Sequence, residues 1–150
     1  MPLILELKPG DKIIVNGAVL ENAGGNTRLS LHNEAALLRQ KEVLAEEDAS
    51  TPAARVYFNL QCAYVFPQHR DDYLKIFHRY LGDFVTAVPG AKPIGDKIAG
   101  FVENGQYYKG LKEAQKLIQR ESEILGRFHQ ELERAMDDED DAAAKAQAGD

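Results

Sequence analysis

Lys109, Lys112, Lys116 and Arg120 recur at helical spacing, and Arg28, His32, Arg39 and Lys41 punctuate short strand-like runs further upstream. Basic side chains in rows do one kind of chemistry well, which is to neutralise and hold phosphates. An amphipathic helix also turns a lysine row to solvent simply because its other face is apolar, and exposed sheet faces are normally polar. Residue type alone leaves both readings open at each row.

Catalysis finds less support. The sequence has no phosphate-cradling glycine loop, no G-x-S-x-G and no H-E-x-x-H. We read a chain that is not an enzyme and needs no cofactor. His32, His69, His78 and His129 have neither an i,i+4 histidine nor a cysteine partner, so we read surface or interface imidazoles and no metal. Cys62 stands among Phe58, Val65 and Phe66, the setting of a small buried hydrophobe. A lone cysteine makes no internal disulfide, which fits a reducing compartment.

The 150 residues carry a net charge of −6, which as a whole opposes a polyanion but is unevenly divided along the chain. Residues 137–150 hold six acids and one lysine, a net of −5, which leaves −1 for residues 1–136. We expect this acidic, Ala-rich end to be a disordered tail. With no apolar run near 18 residues and no secretion signal, the expected location is the cytoplasm, without membrane contact.

The elements that must position the basic rows follow from the hydrophobic period. Leu3, Leu5 and Leu7 alternate with Ile4, Glu6 and Lys8, a half-buried strand. Pro9-Gly10 supplies a turn, "KIIV" a second strand, Asn16-Gly17 a hairpin signal, and "AVLEN" and "TRLSLH" two further strands. Together these predict a small antiparallel sheet on which Arg28 and His32 could join Arg39 and Lys41. Residues 34–44 admit a helix by composition and a strand by layout, and we read them as strand.

From Ser50 the period becomes helical. Ser50 or Thr51 can cap a central, nearly all-apolar helix with Pro52 in its first turn, and Pro67 stops it. Tyr73, Ile76, Phe77, Tyr80, Leu81, Phe84 and Val88 form one stripe on a second helix. A shorter helix carries Ile94, Ile98 and Phe101. The last runs from about residue 106 to 135, roughly 45 Å, with a near-heptad seam interrupted only by Glu121. The expected fold is α+β: a β-rich module over residues 1–48, a bundle of three to four helices over 49–136 with a long last helix, and the tail. Leu125, Phe128 and Leu132 would overhang the bundle and need another surface to cover them.

Four stretches in this order, "LKPGDKIIVNGAVLEN", "LHNEAALLRQKEVL" after Arg28, "EDASTPAARVYFNLQCAY" and "YYKGLKEAQKLI", resemble the FlbT family of flagellar biosynthesis regulators from about Pro2 to Leu125. The resemblance implies post-transcriptional control of flagellin. Such a protein associates with the 5′ untranslated region of flagellin mRNA, usually represses translation and favours decay, and is opposed or tuned by a small flagellar partner, FlaF.

The N-terminal layout is also similar to that of the carbon storage regulator family of β-rich mRNA-binding proteins. That likeness implies Arg39 as the base-reading arginine, with Ile4, Glu6 and Lys8 beside it or across a dimer. The segment between Asn33 and Arg39 is shorter than in that pattern, and Glu6 puts an acid where phosphate would favour a base. The expected RNA-binding residues are thus Lys8, Arg28, His32, Arg39 and Lys41, and the expected partner-binding residues are Leu125, Phe128 and Leu132. The alternative is an adaptor that binds a FlaF-like helical partner without touching RNA. Homo-oligomerisation is compatible with either.

Overall fold

Two turns set the N-terminal architecture. In the first, the Asp11 N–H donates to the Lys8 carbonyl at 3.0 Å. Gly10 takes a φ of 82° after Pro9, as a type II turn requires. In the second, Asn16 and Gly17 sit at φ 51° and 85°, the left-handed pair of a type I′ hairpin. Around them run β1 (Leu3–Leu7), β2 (Lys12–Val15), β3 (Ala18–Glu21), β4 (Thr27–Leu31) and β5 (Leu37–Arg39). Four helices follow: α1 (Pro52–Val65), α2 (Arg70–Ala87), α3 (Lys92–Glu103) and α4 (Tyr107–Ala148). The computed structural model describes the backbone of residues 2–148 and the side chains of residues 2–144. The α+β class, the strands-then-helices order and the long last helix are those the sequence predicts.

The strands do not form the single sheet expected from their pattern. β1 pairs only with β4, Glu6 lying opposite Arg28, while β2 lies between β3 and β5 in a separate antiparallel ladder. The reason lies in Asn22. Asn22 ends β3 and spends its side-chain amide on the Leu7 and Gly25 carbonyls, at 3.1 and 2.9 Å, while its own carbonyl accepts the Gly10 N–H. The chain therefore turns over the Pro9-Gly10 corner and returns beside β1, not beside β2. The 34–44 segment is strand only over Leu37–Arg39. It then tightens into a 3₁₀ turn at Gln40–Glu42, so Lys41 lies beyond the ladder.

The main core joins this module to the bundle. Leu38 of β5 is fully buried with Val56, Leu60, Phe77, Ile98, Leu111 and Leu117 from the four helices. The change of secondary structure near residue 48 is thus crossed by one apolar cluster. Thr51 caps α1, its hydroxyl accepting the Ala54 N–H at 3.2 Å. Glu121, the acid that breaks the α4 seam, accepts the Ala53 N–H at 2.9 Å. An anion there satisfies an orphan donor and favours the positive end of α1.

α4 is longer than its seam implies. Its 42 residues make a rod of roughly 63 Å. Where the sequence leads us to expect a flexible acidic tail from residue 137, the helix continues to Ala148, through residues whose alanines favour helix and whose side chains are exposed over 137–144. Residues 149 and 150 of that tail lie outside the described residues.

The hairpin tip is held against α1. A Cβ on Gly17 would stand 3.2 Å from both the Phe66 ring and the Val65 carbonyl, whereas one on Gly10 would meet nothing. Both glycines have positive φ, so Gly10→Ala isolates backbone strain of about 1–2 kcal/mol. Gly17→Ala should lower unfolding free energy in urea by more than Gly10→Ala does, because it adds a steric conflict with α1.

Candidate functional site

The basic residues expected to share one sheet face are divided between two ladders. Arg28, on β4, faces its cross-strand neighbour Glu6 at 3.6 Å, and both side chains are well exposed. Such a surface pair contributes little to stability, at most about 1 kcal/mol. Lys8 lies in the turn after β1, its backbone N–H donating to Asp11 Oδ2 at 2.8 Å. His32 is exposed just past β4. Arg39 ends β5 in the other ladder and Lys41 lies in the 3₁₀ turn just beyond it, and both line a groove of about 630 Å³ that β1 also borders. That groove has Glu6 and Asp11 on its opposite wall, so its charge is mixed.

Arg39 also lines a second, larger cleft of about 780 Å³ between the 33–37 loop and the helices. Tyr64 from α1, Arg70 at the start of α2, and Tyr107 and Tyr108 at the start of α4 converge there, with Glu34 on the rim. The Tyr64 and Tyr108 rings stand 6.0 Å apart, tilted by 42°. The Arg70 guanidinium lies 4.6 Å from the centre of the Tyr107 ring while its Nε donates to the Ala63 carbonyl at 2.9 Å.

The cleft is held in shape by a buried carboxylate. Glu42 accepts from the Tyr108 hydroxyl at 2.6 Å and from the Arg39 backbone N–H at 3.1 Å, and pairs with Lys112 at 3.0 Å. Its carbonyl accepts the Tyr57 hydroxyl at 2.7 Å. Burial pushes this carboxyl up, but the bonds from Tyr108, Arg39 and Lys112 and the charge of Lys112 outweigh it, and its pKa falls below the usual carboxylate value. The same contact raises the pKa of Lys112.

Two residues of the basic helix row are accordingly structural. Lys112 neutralises Glu42, and Lys116 pairs with the buried Glu113 at 2.9 Å alongside Lys97 at 3.1 Å. Cys62 is buried as read, and burial pushes its thiol up to about 11.

At the far end, Leu125, Phe128, Leu132 and Met136 of α4 are 52, 61, 47 and 59% exposed, a continuous apolar stripe beyond the bundle. It starts at an almost wholly apolar groove of about 520 Å³, lined by Pro52, Phe84, Val88, Ile124 and Leu125.

Arg70, Tyr64, Tyr107, Tyr108 and Glu42 escaped the sequence reading. The one signal for them was Tyr107-Tyr108 itself. Adjacent residues on a helix do not share a face, so two bulky rings in succession cannot both enter the core.

Fold and grooves together define an α+β protein that presents cations, ring faces and an apolar helix stripe. The family profile described as flagellar protein FlbT matches residues 3–125, ending where α4 leaves the bundle. A probable flagellum biosynthesis repressor protein FlbT 1 from Bradyrhizobium diazoefficiens is 36% identical over 147 residues, covering 97% of this chain and all of that protein. The flagellum biosynthesis repressor protein FlbT of Caulobacter vibrioides is 36% identical over 128 residues, 84% of this chain and 91% of that one. The chain belongs to the FlbT family. No solved structure matches it.

Because the pKa of Glu42 is lower folded than unfolded, its stabilisation is present above its unfolded value near 4.5 and is lost as pH falls through the folded value. Glu42→Gln should cost about 1–3 kcal/mol at neutral pH. It should also flatten the acid side of the stability profile, read as the urea midpoint from pH 7 down to 3.

Proposed function

We propose that this protein regulates flagellin synthesis after transcription, binding the 5′ untranslated region of flagellin mRNA and repressing its translation or promoting its decay. The regulatory half of this reading comes from relatives named flagellum biosynthesis repressors that align with most or all of the chain. The RNA half is supported by one observation. Arg39 is exposed at the shared margin of two grooves, and no carboxylate pairs with its guanidinium among the described residues. A guanidinium in that position can donate two coplanar hydrogen bonds to a phosphate or a base edge. Arg28 is the weaker candidate of the two, because Glu6 already faces it.

A second reading, compatible with the first, is favoured by the α4 stripe. A helical partner of the FlaF kind would cover Leu125, Phe128 and Leu132 in the helix-in-groove mode. In that case the RNA and partner surfaces lie at opposite ends of α4.

Titration with the host's flagellin leader RNA tests the first reading. Arg39→Ala should weaken binding by about 1–3 kcal/mol, and Arg28→Ala by less. Unchanged affinity in both variants, or no binding by the unmodified chain, would discard this surface. For the second reading, Leu125→Ser/Phe128→Ser/Leu132→Ser should abolish capture of the FlaF-like protein while leaving RNA affinity intact. A truncation used for the same purpose must begin after Glu121, whose carboxylate caps α1.

A further inference from the structure

We propose that the tyrosine-lined cleft between the 33–37 loop and the start of α4 is a binding site for an unpaired nucleotide, its base stacked on Tyr107 or Tyr108 and its phosphate held by Arg39 and Arg70.

The argument starts from what the cleft leaves on offer. The phenol hydroxyls of two of its three tyrosines are already engaged by the protein. Tyr108 donates to Glu42 at 2.6 Å, and Tyr64 accepts the Leu37 N–H at 3.0 Å. These bonds fix the Tyr64 and Tyr108 rings and leave ring surface, not polar tips, for a visitor, while Tyr107 already has the Arg70 guanidinium over one side. A ring face binds flat π-systems without regard to their hydrogen-bonding pattern.

The charges complete the description of the ligand. Arg39 and Arg70 both line the cleft and neither is ion-paired to a carboxylate among the described residues. Lys112 sits 5.2 Å from the Tyr108 ring centre, although Glu42 neutralises most of its charge. The N-terminus of α4 also borders the space through Gly105 and Tyr107, and no acid occupies that helix's first turn to offset its positive end. The occupant should therefore be planar, aromatic and anionic. A nucleotide is all three, and an unpaired one can present its base face, which in a duplex is buried in the stack. The volume, about 780 Å³, lies within the usual range of about 300–1,000 Å³ for ligand sites.

This rests on the RNA reading above and locates its contact at the end of the β1–β4 ladder, where Leu3 and Leu31 border the cleft, and not at the Glu6–Arg28 pair. In the same leader RNA carrying 4-thiouridine, ultraviolet crosslinks should fall on the peptide holding Tyr107 and Tyr108. Tyr107→Ser should weaken binding roughly 5- to 150-fold, the equivalent of one lost base stack, while Tyr107→Phe should restore it. Arg70→Gln, with its fold checked by circular dichroism, should reduce affinity and lessen its salt dependence. Duplex RNA of the same sequence should bind worse than the single strand. Retained affinity in Tyr107→Ser together with crosslinks confined to the neighbourhood of Lys8 and Arg28, which the cleft does not include, would overturn the cleft but leave the RNA reading standing. Leader RNA that binds nowhere would end both. Wild-type affinity in both Tyr107→Ser and Arg70→Gln, with loss of FlaF-like protein capture instead, would make the cleft a protein site and also overturn the proposal.

Discussion

The Glu42 carboxylate is the interaction on which the arrangement depends. It sits at the end of the 3₁₀ turn that follows β5 and gathers a hydroxyl and an ammonium from the start of α4 and a backbone N–H from its own turn. A buried anion with only one such partner would be a net cost, since desolvation of a carboxylate is rarely offset by a single ion pair. With three donors it becomes a junction. Leu38, three positions earlier in the sequence than Lys41, enters the helical core beside it. Apolar burial therefore supplies the attachment of the β module, and Glu42 supplies its register against α1 and α4.

Several other buried polar groups follow the same logic. Gln61 exchanges two hydrogen bonds with the Leu44 backbone, at 2.8 and 3.0 Å, so the extended segment after the 3₁₀ turn is pinned along α1 as if by one more strand. Glu113 lies between Lys97 and Lys116, and Glu121 closes the open end of α1. No buried side-chain polar atom lacks a partner among the described residues. The α1 helix, apolar on almost every side, is thus positioned by directional bonds at Ala53, Tyr57 and Gln61, with non-directional packing between them.

What could be read from the sequence was what is decided locally. Pro9-Gly10, Asn16-Gly17, Thr51-Pro52 and Pro67 each act through their own backbone preferences, and the structure uses each of them as a turn, cap or stop. Strand partnership is not local in this sense. Period-two alternation states which face of β1 is apolar, but choosing β4 over β2 depended on the side chain of Asn22, fifteen residues away. Glu121 looked like a flaw in a seam because its partner, the Ala53 N–H, is 68 residues distant in the chain. The candidate cleft was hidden for the same reason. Its rings and cations come from β5 and three helix ends, and of these Tyr107 and Tyr108 alone are neighbours in sequence.

The separation of 66 residues between Glu42 and Tyr108 also orders events during synthesis. At about 5–20 residues per second, α4 begins to emerge on the order of 3–13 s after the 3₁₀ turn. Until then the Glu42 carboxylate lacks the Tyr108 hydroxyl and the Lys112 ammonium, and the β module is held to α1 by Leu38, by the Gln61–Leu44 bonds and by the Tyr57 hydroxyl. Its junction with α4 is therefore the last to be completed, when the start of that helix arrives.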